Sequence, residues 1–260
     1  MKNKKEIISI VRKTLFSNIP FVGTFLDEIL FESRSRIKQD RLNRFVILLK
    51  DYFDDKFDEN TKLENLTSEE FSDNFEEVLL SVLKTNSEEK LFHFRNLLLN
   101  QILYSDKRNN DLFSLFVGIT HSLLDDQIII LEKFADIKTE FGNAFLERGT
   151  LKSKKVSIDS DLDRLKQMNS NEIEIVKLQK EYGEIKKKFE RAEKGFDRIK
   201  ESMNPEIYGL SFTRFMILIQ DLTGKGLLYD VGSTAIGVSQ FEYMEISELG
   251  YSYINYIKFT

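Results

Sequence analysis

The chain has 260 residues, with 43 acidic against 38 basic side chains and a formal net charge of −5. That balance argues against a protein that holds polyanions through its overall field, and the absence of Cys excludes a disulfide framework or a thiolate metal site. Two Pro, 31% charged residues and an aromatic load carried by 22 Phe and no Trp make a long-helix composition.

The basic N-terminus, MKNKKEIISIVRKTLF, places Ile7, Ile8, Val11, Leu15 and Ile19 on one helical face. Ser9, Arg12 and Lys13 interrupt what a signal peptide would need as a continuous apolar region. No apolar run elsewhere approaches the roughly 18 residues of a membrane span, so a cytoplasmic chain is expected. Docking of this first helix on the core is its commoner use; a membrane surface is the alternative.

A break at Asn18-Ile19-Pro20-Phe21-Val22-Gly23 precedes a long predicted helix, about 24–53, with Leu26, Ile29, Leu30, Ile37, Phe45, Leu48, Leu49 and Tyr52 in its stripe. Arg34, Lys38 and Arg41 share a face of it and could contact an anion. The spacing of Glu32 to Arg36 and of Asp40 to Arg44 favours a solvated, salt-bridged face instead. After a polar loop at 54–65, Thr67-Ser68-Glu69-Glu70 reads as a capping box opening a helix with Phe71, Phe75, Val78, Leu79 and Val82 inward. Ser87-Glu88-Glu89 caps the next helix, whose apolar face is Leu91, Phe94, Leu98 and Ile102, with Leu97 as a further candidate. Two nearly continuous apolar helices follow at about 111–123 and 125–139.

From Leu151 the character changes, and Lys, Glu and Asp dominate some fifty residues. Leu178, Tyr182, Ile185, Phe189, Ala192, Phe196, Ile199 and Met203 alternate steps of four and three, the spacing of a coiled-coil seam. Ile158, Leu162 and Leu165 begin a similar seam upstream, and the phase slips near 168–171. Asn204-Pro205 stops the helix.

The C-terminal sixty residues have the outline of a winged helix: a helix ending at Gly224, two short strands at about 227–231 and 241–247 around a Gly/Ser-rich tip, and a last helix opened by Ser247. The helix before the wing carries Phe212, Phe215, Met216, Ile217, Leu218, Ile219 and Leu222, with Arg214 as its one base. A DNA reader needs polar and basic groups there, so this helix is expected in a core and nucleic acid is not an expected partner. The fold expected is therefore mainly α: a multi-helix core over 1–150, a projecting charged coiled-coil segment over 151–204 and a small winged-helix-like α+β cap over 205–260.

Catalytic signals are incomplete. His93 and His121 lack an HExxH, a neighbouring His or a Cys, and a structural role is the expected one. Asp125-Asp126 and Asp54-Asp55 read as helix-terminal and loop carboxylates, Gly224-Lys225-Gly226 is too short for a phosphate loop, and Ser239 lacks a GxSxG context. No catalytic residue, cofactor or metal is expected.

Three features together resemble the Abi-alpha family of bacterial abortive-infection proteins, which act against phage. They are the break at Ile19, Pro20 and Gly23 before the basic turns RSRIKQDRLNR; NLLLNQIL followed by FVGITHSLLDDQIIILEKF; and the closing LIQDLTGKGLLYD and YMEISELGYSYINYI. The resemblance implies a role in phage defence and no particular reaction. The expectation is a non-enzymatic defence protein whose seam (Leu178, Tyr182, Ile185, Phe189, Phe196, Ile199) binds a second copy or another defence protein. A winged-helix nucleic-acid-binding regulator and a membrane-acting effector anchored by the N-terminal helix are the alternatives.

Overall fold

A computed structural model of the chain describes residues 36–56, 69–104, 110–168, 172–232 and 239–258. The first amphipathic helix, Arg34, and Thr67 and Ser68 of the capping box lie outside them. As expected from composition and periodicity, the described chain is mainly helical with one small sheet. It divides into two compact units, Met1–Asp125 with Asn255–Thr260, and Asp126–Ile254.

The first unit contains α1 (Arg36–Lys56), α2 (Glu69–Lys84), α3 (Glu88–Tyr104) and α4 (Asn110–Ser122). The apolar stripe of α2 is buried as its spacing predicts: Phe71, Phe75, Val78, Leu79 and Val82 lie inside, with Phe71 stacked on Phe75 at 6.0 Å. Burying each such side chain contributes about 1.5–3 kcal/mol. On α3 the Ser87 hydroxyl accepts from the Lys90 amide and donates to Asp125, so one residue caps α3 and ties down the start of the helix that begins at Asp125. The polar loop expected from 54 begins later, because α1 runs on to Lys56.

NLLLNQIL proves to be more than an apolar run. Asn96 and Asn100, one turn apart on α3, are both buried. Their side-chain amides donate to the carbonyls of Ile257 and Tyr256, each at 2.6 Å. Those carbonyls belong to the last turn of the chain's final helix, where no further amide continues the intrahelical ladder. Two asparagines on one face of α3 thus cap a helix end that arrives about 160 positions later in the sequence. Tyr256 also packs edge-on against Phe116 at 5.0 Å.

The second unit holds most of α5 (Asp125–Phe141), then α6 (Ala144–Gln167), α7 (Glu172–Ser202), a 3₁₀ turn (Pro205–Tyr208), α8 (Phe212–Gly224), β1 (Leu228–Asp230), β2 (Met244–Ile246) and most of α9 (Glu248–Ile257), whose last turn belongs to the first unit. The strands pair antiparallel, with Leu228 opposite Ile246, Tyr229 opposite Glu245 and Asp230 opposite Met244. The helix that carries the change of composition at Leu151 starts earlier, at Ala144. The left-handed residue after α8 is Gly226 (φ 70), not Gly224, which stays helical. The chain needs two more residues before the Leu227 amide can close back on the Leu222 carbonyl.

The expectation that α8 belongs wholly in a core is corrected. Phe215, Leu218, Ile219 and Leu222 are buried, whereas Phe212 (68% exposed) and Ile217 (59%) face out. A thirteen-residue helix lying on one core covers one face only, and its remaining apolar residues are left at the surface.

Candidate interaction site: the α6–α7 hairpin

α6 and α7 form an antiparallel hairpin. Its pairing follows from contacts climbing in opposite directions along the two helices: Phe145 with Phe196, Arg148 with Glu193, Lys155 over Phe189, and Ile158 and Leu162 with Ile185. The heptad residues of α7 from Leu178 to Phe196 lie on the face that meets α6, and Ile199 lies beyond its start, beside Phe134 and Ile246. Ile185, Ala192 and Ile199 are buried, and Leu178, Tyr182, Phe189 and Phe196 are half-buried. Farther out, the apolar cluster of Ile158, Leu162 and Ile185 is completed by Leu151, Ile175, Leu178 and Tyr182, all from these two helices. The coiled-coil seam is thus engaged within the chain.

The base of the hairpin is fixed by a close approach and a buried carboxylate. Gly195 sits against Ala144 and Phe141, where an added Cβ would lie 2.6 and 2.7 Å from their Cβ atoms. Beside it Phe145, Phe196 and Tyr243 form a mutually packed aromatic trio, with the Arg148 guanidinium over Phe196 at 4.3 Å. Asn143, at the N-cap of α6, makes no capping hydrogen bond. Glu245 of β2 does that work from a distance. Its carboxylate, 6% exposed, accepts from the Phe145 amide at 3.0 Å and from the Tyr229 hydroxyl at 2.7 Å. A negative charge in the first turn suits the free amides and dipole of α6. Burial, and then the Glu245 carboxylate, push the Tyr229 hydroxyl well above the ordinary tyrosine range. Neither Gly195 nor Glu245 stands out in the sequence; the one signal is a small residue beside the seam, in the run Ala192 to Gly195.

The far end of the hairpin is different. Met168 (69% exposed), Ile173 (76%) and Val176 (62%) are apolar and open to solvent where the two helices end and begin.

The remaining candidates are placed individually. Lys38 is exposed, and Arg41 donates to the Leu83 carbonyl at the end of α2, so it serves as a helix C-cap. Arg44 pairs with Glu88 and also donates to the Asp40 carbonyl. Arg214 is exposed and ion-paired with Asp126 at 2.7 Å. Lys225 pairs with Asp221 within its turn, and the Ser239 amide donates to Glu242.

His93 is half-buried, and burial holds its pKa below the usual histidine value against the opposing pull of the Ile257 carbonyl and Asp125. Its Nδ1 has no partner. His121 is exposed, its carbonyl accepting from Lys90. Burial likewise depresses Lys90, opposed by Asp125.

Among the described residues no group of three or more His, Cys, Asp or Glu is placed to hold a metal ion, and no helix is long and apolar enough to cross a membrane. Comparison with protein-family models, with curated proteins and with solved structures finds no match.

Proposed function

We propose that this chain is a bacterial phage-defence protein of the abortive-infection type that acts by binding another protein or a second copy of itself, with the α6–α7 hairpin as its binding arm. The defence role rests on the resemblance to the Abi-alpha family. The observation that supports a binding arm is the apolar end formed by Met168, Ile173 and Val176 on a hairpin whose own seam is already filled by α6. Exposed apolar side chains grouped at one end of a charged element are the usual mark of a contact surface, and short anchors of this kind carry most of the energy in an interface. In this reading the seam builds the arm and its end makes the contact.

The test is a phage challenge. Bacteria producing the wild-type chain or Ile173→Glu/Val176→Glu are plated against a phage panel, with circular dichroism and light scattering on the purified proteins. The expected result is protection by the wild type, lost in the double variant at unchanged helicity. No protection by the wild type against any phage, or equal protection by the variant, would overturn the proposal.

A further inference from the structure

We infer that the base of the hairpin carries a binding cleft for a small organic phosphate of the nucleotide class. Where the α5–α6 turn faces α7, an open cleft of about 610 Å³ is lined by Phe141, Leu146 and Leu151 as an apolar floor. Lys188 and Arg191 stand on the α7 wall, and Asn143, Glu147 and Thr150 on the α6 wall. Lys154 lies one turn beyond Thr150 on the same face of α6. Pockets for small organic ligands fall in the same range of roughly 300–1,000 Å³, and combine an apolar lining with a few placed polar groups.

The charges on the lip decide the ligand class. Lys188 and Arg191 share the cleft with one carboxylate, Glu147, and Lys154 follows Thr150 by one turn of α6. No acidic residue interrupts 148–158 on α6 or 185–189 on α7. Among the described residues no ion pair neutralises Lys154 or Lys188. The Arg191 guanidinium donates to the Glu140 carbonyl, which orients it and uses one of its five donors. A second hollow of about 520 Å³ shares Phe141 and Arg191; there Lys187 and Lys194 are offset by Glu140 and Glu190, so the excess of positive charge belongs to the first cleft. Lys188 and Arg191 in the cleft, with Lys154 one turn along α6, suit a ligand with at least two negative charges, and guanidinium and ammonium groups are the usual partners of phosphate oxygens. The apolar floor suits a flat, weakly polar body joined to that phosphate. Glu147, Asn143 and Thr150 supply acceptors and donors for a sugar hydroxyl or a base edge. The sequence count hides this site because the chain is acidic overall while its lysines gather at one level of the hairpin.

The inference stands apart from the defence reading, and its test needs no phage. A fluorescent N-methylanthraniloyl ATP is titrated with the full-length protein and followed by anisotropy, with unlabelled ATP, adenosine and inorganic phosphate as competitors. Saturable binding is expected, weakened by salt and displaced by ATP far better than by adenosine or phosphate alone. Lys154→Glu/Lys188→Glu should weaken it at least tenfold at an unchanged melting curve. Lys177→Glu/Lys180→Glu, the same charge change farther along the hairpin, should leave it unaltered. Absence of saturation up to millimolar protein would overturn the inference. So would equal weakening by both double variants, or displacement by phosphate as efficient as by ATP.

Discussion

Replacing Gly195 by Ala tests how the hairpin is seated. The added methyl would lie 2.6 Å from the Ala144 Cβ, 2.7 Å from the Phe141 Cβ and 3.0 Å from the Phe141 Cγ. Apolar carbons rest at about 3.5–4.0 Å, so the shortfall is roughly 1 Å against two atoms fixed to the backbone, and α7 has to move away from the α5–α6 turn. Overpacking of this kind costs about 1–3 kcal/mol, and the higher helix propensity of Ala returns only about 0.5–1 kcal/mol. With no flexible side-chain tip to give way, a net loss of about 2 kcal/mol is expected from those terms. Gly183, in the same helix, has nothing within 4 Å of an added Cβ, so Gly183→Ala should gain about 0.5–1 kcal/mol. Denaturant unfolding followed by circular dichroism should therefore separate the two variants by about 2–3 kcal/mol. If Gly195→Ala proved as stable as Gly183→Ala, the close approach would not exist and the seating of the hairpin would have to be revised.

Asn96→Ala and Asn100→Ala should each cost about 1–3 kcal/mol, the penalty of leaving a buried carbonyl unpaired, and hydrogen exchange should show the last turn of α9 fraying in both. Stability should fall as the pH drops below the ordinary histidine value of 6.5, because His93 binds a proton more readily unfolded than folded. The contribution is complete above 6.5 and is lost as the pH falls toward the depressed folded value; His93→Gln should flatten that part of a melting-temperature profile. Ile185→Asp/Phe189→Asp puts two charges into the α6–α7 contact at a cost of several kcal/mol. It should lower helicity by circular dichroism, and an unchanged spectrum would show that the seam does not hold the hairpin.

Helical content and the stripes of α2 and α3 were legible because 3.6-residue periodicity reports directly on a buried face. The seam of α7 was legible in register but not in partner. Heptad spacing says that knobs need holes and is silent on which chain supplies them, and α6 shows only Ile158 and Leu162 clearly enough to be matched. The end of α8 at Gly224 was legible, but its left-handed residue lies two positions on, because both glycines of Gly224-Lys225-Gly226 satisfy the sequence rule and only the backbone chooses Gly226. Glu245, Asn96 and Asn100 were illegible as caps. Each serves a helix at least 100 positions away, and local pattern carries no information about such partners. The lysine level at the base of the hairpin was present in the sequence as two separate runs, and it is their antiparallel pairing that sums them.

The asparagine caps also order events in time. Asn96 and Asn100 wait for carbonyls made 161 and 156 residues later. At a synthesis rate of about 5–20 residues per second the interval is roughly 8–32 s, far longer than the microseconds in which helices form and collapse. Throughout it the Asn96 amide lacks the Ile257 carbonyl and the Asn100 amide has the Asn96 carbonyl but not that of Tyr256, and Phe116 lacks the ring that will cover it. The N-terminal helices therefore emerge from the ribosome as a core that cannot close on its own. The outer part of the hairpin, whose cluster of Ile158, Leu162 and Ile185 is completed from α6 and α7 alone, can fold while they wait.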